Sequence, residues 1–228
     1  MHAHYSHIAG RSLERLAALS DGIFAVAMTL LVLELHVPVM DAVHTLAPIW
    51  ATGELDHEAL LGQELARLGP SMSTYLMSFM TLGIFWLGQQ AQLNHFRESS
   101  RVLSWIHIGF LCAVCLIPFS TSLLAQFITY RLALGVYWLN LLLLGVLLMA
   151  SIWYANRADL LREDLPKEAR LVHSRRIVSY QVLYALAFLL SVTNTYISIG
   201  VLFALQLHSI LGMELPFNRR GLILPATS

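Results

Sequence analysis

An all-α integral membrane protein is the fold class predicted for this chain, on three observations. Of its 228 residues, 57% are hydrophobic and only 12% are charged, with a mean hydropathy of +0.65. A soluble domain is about one-quarter charged. Apolar residues gather into six segments at or near span length, too much apolar surface for one globular core. Basic residues fall almost wholly on one side of those segments.

The first segment covers about 19–37, and Pro38 stops it. The second covers about 72–93. The third is 102–128, interrupted by Pro118, and the fourth is about 132–154. The fifth, 177–192, and the sixth, 196–211, are separated only by Thr193-Asn194-Thr195. As one helix, 177–211 would extend about 50 Å at 1.5 Å per residue. That far exceeds a bilayer core of about 30 Å, so two spans are expected. The whole chain, 1–228, is read as one six-span domain.

Charge placement orients these spans. With the N-terminus inside, twelve of the fourteen Lys and Arg residues lie in cytoplasmic segments, and only Arg67 and Arg131 lie outside. The positive-inside rule then places both termini in the cytoplasm, in the inner (cell) membrane. The longest outer connection, Met40 to Gly69, holds Asp41, Glu54, Asp56, Glu58 and Glu64 against Arg67 alone, which makes the outer mouth mildly acidic. Trp50, Trp105, Trp138 and Trp153 fall near span ends, where aromatic belts form.

Other patterns exclude more than they suggest. Lys+Arg and Asp+Glu both number 14, so bulk charge points to no acidic partner, and no nucleic acid is expected. The two cysteines, Cys112 and Cys115, lie within an apolar run, where they read as packing residues rather than a redox pair. His2, His4 and His7 belong to a polar tail with no signal-peptide pattern. Glu34, His36 and Asp41 could gather cations at the outer mouth, or simply solvate a helix end. The basic run Arg170 to Arg176 marks a cytoplasmic segment and a contact for anionic lipid. No nucleophile–base pair, zinc spacing or phosphate loop is apparent, so no enzyme, resident metal or cofactor is expected.

The first segment carries the chemistry. Arg15, Ser20, Asp21 and Thr29 sit at or inside its cytoplasmic half, and Glu34 is near its other end. Charge at a span centre costs roughly 2.5–3.5 kcal/mol on insertion scales, so such groups face protein or water. At about 100° per residue, Gly22, Val26, Thr29, Leu30 and Leu33 share one stripe, and Asp21 stands about 140° from Val26. Repeated around a symmetry axis, that stripe forms a narrow apolar constriction of the kind that gates by dewetting. The same stripe also suits packing or lipid contact, and periodicity alone does not choose. Arg15 and Asp21 are spaced too far apart to pair on one helix. Partners at the same depth are Gln89, Gln90, Asn94 and His95 on the second span and His107 on the third.

The run Arg15-x-x-x-Leu19-Ser20-Asp21-Gly22-Ile23-Phe24-Ala25, followed by Thr29-Leu30-Leu31-Val32-Leu33-Glu34-Leu35, closely resembles the first helix of the transmembrane protein 175 family. Phe85-Trp86 and the stretches Leu103-Ser-Trp-Ile-His107 and Leu116-Ile-Pro118-Phe119-Ser120-Thr121-Ser122-Leu123-Leu124 extend the resemblance. These are potassium channels of bacteria, archaea and animal lysosomes, without the Gly-rich filter loop of ordinary potassium channels. The resemblance implies a homotetramer with the first helix lining a central pore. It places the constriction on Val26, Leu30 and Leu33 and a selectivity layer on Thr29. It assigns Arg15, Ser20, Asp21 and Trp86 to a network that holds the pore helix. Four departures stand out. Leu19 replaces Phe in the signature. Gln89-Gln90 stand where the family tends to have His-His, and an amide bonds but does not titrate. His107 stands where Asn is common, and is expected partly to compensate. Val26 is smaller than the usual Ile or Leu, which predicts a slightly wider gate.

The function these features predict is a potassium-permeable, weakly selective cation channel, with membrane lipids, monovalent cations and its own copies as partners. A cation or proton leak is the nearest alternative. A secondary transporter coupling through Asp21, or a membrane haem protein using His95 and His107, is the alternative of a different class.

Overall fold

The computed structural model describes residues 13–37, 50, 54–162 and 167–211. His2, His4, His7, Asp41, Arg219 and Arg220 lie outside the described residues, as do the side chains of Glu54, Asp56 and Arg170. The elements are α1 (Leu13–Leu33), α2 (Glu54–Arg67), α3 (Gly69–Asn94), α4 (Arg101–Cys115), α5 (Ile117–Gln126), α6 (Arg131–Arg157), α7 (Lys167–Leu189), a 3₁₀ turn (Leu190–Val192) and α8 (Thr195–Ile210). Among the described residues there is no β-strand, only an isolated bridge between Phe96 and Leu161.

Local chemistry sets the boundaries. Pro118 has no N–H to continue the α4 ladder, so α4 stops at Cys115 and α5 restarts at Ile117. Asn194 caps α8 by accepting from Tyr196 N at 2.8 Å, and Ser100 caps α4 by accepting from Leu103 N at 3.2 Å. The Asn194 cap separates α7 from α8. α1 begins and ends earlier than its apolar run. Leu13-Glu14-Arg15-Leu16-Ala17-Ala18 are good helix formers despite their charges, and the chain leaves the helix before Pro38. α2 was not expected: the connection between α1 and α3 contains a Glu-, Leu- and Ala-rich amphipathic helix.

Four helical stretches among the described residues are long and apolar enough to cross a membrane: Leu13–Leu33, Arg101–Gln126, Arg131–Arg157 and Ser174–Val192. α3 is as long, but it is punctuated by polar residues. It buries several of these beside its core apolar residues: Thr74, Ser78, Thr81, Gln89 and Gln92 are inside, while Leu76, Phe79 and Leu87 are exposed. Such inversion suits lipid, where backbone and side-chain polar groups must find partners within the protein.

The buried polar groups meet at the centre of the bundle. Tyr137 of α6 is fully buried. Its hydroxyl lies 3.0 Å from Thr81 Oγ1 and 3.4 Å from Ser78 Oγ. Thr121 of α5 donates to Ser78 at 2.6 Å, and Gln206 of α8 donates to Thr81 at 2.6 Å. Four helices are thereby tied at one point. Gln92 reaches Ser151 and the Leu148 carbonyl of α6. Trp138 stacks on Phe188 at 4.8 Å and packs against the core, so it is a packing residue rather than part of an interfacial belt. At the α3–α4 end, Arg97 N donates to Leu160 O at 2.8 Å and Arg162 N to His95 O at 3.0 Å. This clip covers a second apolar cluster of Leu16, Leu93, Phe96, Leu103, Ala155, Leu160 and Leu161.

Candidate functional site

α1 has two faces. Leu16, Ser20, Phe24, Ala27 and Leu31 are buried against α3, α4 and α5. Phe24 lies 6.0 Å from Phe110, which lies 6.4 Å from Phe85. The opposite face holds Gly22, Val26, Thr29, Leu30 and Leu33, all exposed within the single chain. Val26 is 58% and Leu33 is 68% exposed, although both are apolar residues of the first helix. Thr29 turns its hydroxyl proton inward, donating to Val26 O at 2.8 Å.

Two neighbouring residues in the N-terminal half of α1 anchor the helix to α3. Ser20 and Asp21 are consecutive, so their side chains diverge by about 100°. Asp21 Oδ1 accepts from Trp86 Nε1 at 2.8 Å and from Gln90 Nε2 at 2.6 Å. Trp86 and Gln90 are four apart on α3, hence stacked on one face. Ser20, fully buried, accepts from Gln89 Nε2 at 2.9 Å and donates to Leu16 O at 2.8 Å. Gln89 Nε2 also lies 3.5 Å from His107 Nδ1 of α4, and the His107 ring stands edge-on to Phe96 at 6.0 Å.

Asp21, Trp86 and Gln90 thus form one hydrogen-bonded group, and Ser20, Gln89 and His107 form a second beside it. Arg15 is exposed, earlier on the same helix. Asn94 and His95 belong to the α3 terminus, not to the contacts of Asp21. Beside Gln90 a hollow of about 530 Å³ opens between Leu13, Glu14, Asn94, Arg97 and Arg162. It is polar and lies at the α1 N-terminus. The Ser78–Thr81–Tyr137 cluster was missed in the sequence. Its signal was available: polar residues at three-residue spacing inside a span, repeated at Gln89 and Gln92.

Among the described residues no group of three or more His, Cys, Asp or Glu side chains is placed to hold a metal ion. Cys112 and Cys115 are free thiols. What remains distinctive is a membrane helix that presents an apolar face outward while its buried side is tied down by hydrogen bonds.

Comparison with known proteins bears on that helix directly. Residues 15–118 match the family described as endosomal/lysosomal potassium channel TMEM175. A potassium channel of Chamaesiphon minutus is 31% identical over 205 residues, covering 85% of this chain and 91% of that protein. The chain belongs to the TMEM175 family. A second bacterial TMEM175 relative, a potassium channel of Streptomyces collinus, is 26% identical over 214 residues, covering 90% of this chain and 92% of that one. The crystal structure of a lysosomal potassium-selective channel TMEM175 homologue from Chamaesiphon minutus superposes with a TM-score of 0.70 at 25% identity, covering 88% of this chain and 97% of that one. TMEM175 proteins of this group are ion channels and not enzymes, and this chain shares their helical membrane fold.

Proposed function

We propose that this TMEM175-family protein is a potassium-permeable, weakly selective cation channel. Four copies, each with six spans and both termini in the cytoplasm, surround a central pore lined by α1. The observation that carries the proposal is the outward face of α1. Val26, Leu30 and Leu33 are exposed within one chain, while the opposite side of the helix is fixed by Ser20 and Asp21. A helix held this rigidly presents its free face at a defined angle to neighbouring copies. The relatives' description as potassium channels supports potassium as the ion.

In the proposed mechanism, rings of Val26, Leu30 and Leu33 form the constriction and exclude water when narrow. Thr29 lies between the Val26 and Leu30 levels. Because its proton is committed to the Val26 carbonyl, its oxygen lone pairs are left to face a passing cation. A single hydroxyl layer replaces only part of a hydration shell. Potassium, the more cheaply dehydrated ion, passes better than sodium, without the discrimination of a carbonyl filter.

The test is potassium and sodium flux in liposomes for wild type, Val26→Asn and Thr29→Ala. Val26→Asn, by wetting the constriction, should raise the rate several-fold. Thr29→Ala should narrow the potassium-to-sodium ratio. If neither substitution changes rate or ratio, α1 does not line the path. Flux that saturates and requires a co-ion would instead favour a transporter acting through Asp21.

A further inference from the structure

An elongated apolar cavity of about 460 Å³ runs between α3, α7 and α8, away from the outward face of α1. Its walls include Phe79, Ile84 and Leu87 of α3, Ile177 and Tyr184 of α7, and Ile210 of α8. Along α3 the lining extends from Phe79 to Ala91, about 18 Å at 1.5 Å per residue. That is slightly more than half of a hydrocarbon layer of roughly 30 Å, the depth of one leaflet. Among the described residues no acidic side chain lines it.

One end of the cavity is polar and basic. Arg176 is exposed there; its Nη2 lies 3.5 Å from Ser209 Oγ, and its guanidinium sits 6.0 Å from the Tyr180 ring centre. The Tyr180 hydroxyl lies 3.4 Å from His208 Nδ1, and Arg175 is the next exposed residue. A guanidinium held against an aromatic face and a hydroxyl offers parallel N–H groups suited to a phosphate. Basic pockets between membrane helices are recognised positions for anionic headgroups.

We propose that this cavity binds one anionic phospholipid, with an acyl chain along α3 and the phosphate on Arg176 and Ser209. The charge at the mouth selects the headgroup, and the one-leaflet depth selects a chain. Two glycines keep the channel for that chain open. A Cβ added at Gly83 or at Gly88, both of which line the cavity, meets nothing within 4 Å. The face is thus empty rather than tightly packed. The proposal rests on the cytoplasmic placement of the basic helix ends, but its test reads lipid contact and not conduction.

The experiment uses the full chain reconstituted with phosphatidylglycerol carrying a photoreactive acyl chain, and with the matching phosphatidylcholine. Crosslinked peptides are mapped by mass spectrometry. The expected result is labelling of α3, α7 and α8 lining residues by phosphatidylglycerol, at least five-fold above phosphatidylcholine. Arg176→Ala should abolish that preference, and Gly88→Leu, which fills the cavity from inside, should reduce labelling by both lipids. Each variant is first checked for wild-type helicity and oligomer elution; if Arg176→Ala fails that check, Gly88→Leu decides. Equal labelling by the two lipids, labelling spread over other faces, or labelling unmoved by both variants overturns the proposal. So does crosslinking of this face to a second copy of the chain, which would make it a subunit contact. Because flux is recorded separately, a failed lipid result leaves the pore assignment standing, and the reverse also holds.

Discussion

Asp21 and Ser20 show how two adjacent side chains can do different work. Asp21 takes two donors from α3 on a single oxygen, and Ser20 is held by an amide one position round the same helix. Hydrogen bonds to a charged group contribute about 1.5–3 kcal/mol, less where water competes. Trp86→Phe keeps an aromatic ring while removing the indole N–H donor together with part of the packed ring. It should lower the thermal midpoint by a few degrees while leaving helicity intact, as followed by circular dichroism in detergent. A midpoint equal to wild type would mean that Asp21 is anchored by Gln90 alone. His107 completes the set through Gln89, and its ring also packs on Phe96. His107→Asn, the residue common in the family, should therefore reduce expression and oligomer stability in gel filtration; an unchanged profile would end the idea that His107 compensates for the missing histidines. These partnerships were only partly legible beforehand. Depth along the helix narrowed the partners of Asp21 to a few residues, but depth does not say which way a side chain points. The choice of Gln90 over Asn94 required the relative rotation of α1 and α3.

Helices in this molecule are joined by polar contacts more than their apolar sequences suggest. Gln181 of α7 lies over Gly145 of α6 and donates to Leu141 O at 3.0 Å. A Cβ at Gly145 would meet Gln181 Nε2 at 1.8 Å and Cγ at 2.8 Å. Gly145→Ala must expel the amide from the α6–α7 contact. It should cost about 1–3 kcal/mol as overpacking, read as a lower thermal midpoint, and Gln181→Ala should relieve the clash in the double variant. Similarly, Tyr137→Phe removes the hydroxyl shared by Ser78 and Thr81. Leaving those buried groups under-bonded should cost about 1–3 kcal/mol and accelerate proteolysis between α5 and α6. Element positions were well legible, because span length and proline and asparagine signals act locally. α2 was not, because an amphipathic stretch beside a membrane reads as a polar connection. Nor was the start of α1, since hydropathy marks where charge ends rather than where hydrogen bonding begins.

At the scale of the whole molecule, the single chain leaves a large apolar surface open. α1 exposes Val26, Leu30, Val32 and Leu33, yet its other side is tied to α3 by hydrogen bonds. A second copy or lipid must cover such a face, and the proposed tetramer covers it with α1 of neighbouring subunits. Native mass spectrometry from detergent should give a mass of four chains, and Val26→Asp, by placing charge in the ring, should shift it toward smaller species. A monomeric wild-type mass would remove the central pore. The helical membrane fold and the two-faced first helix were present in composition and spacing, because hydrophobicity and helical period act on near neighbours. The pairing of Asp21 with Trp86 and Gln90, the tie at Tyr137 and the lipid-sized cavity emerged only when distant segments were packed together. Residues 56 or more apart in the chain meet there, and no local pattern encodes which rotation brings them into contact.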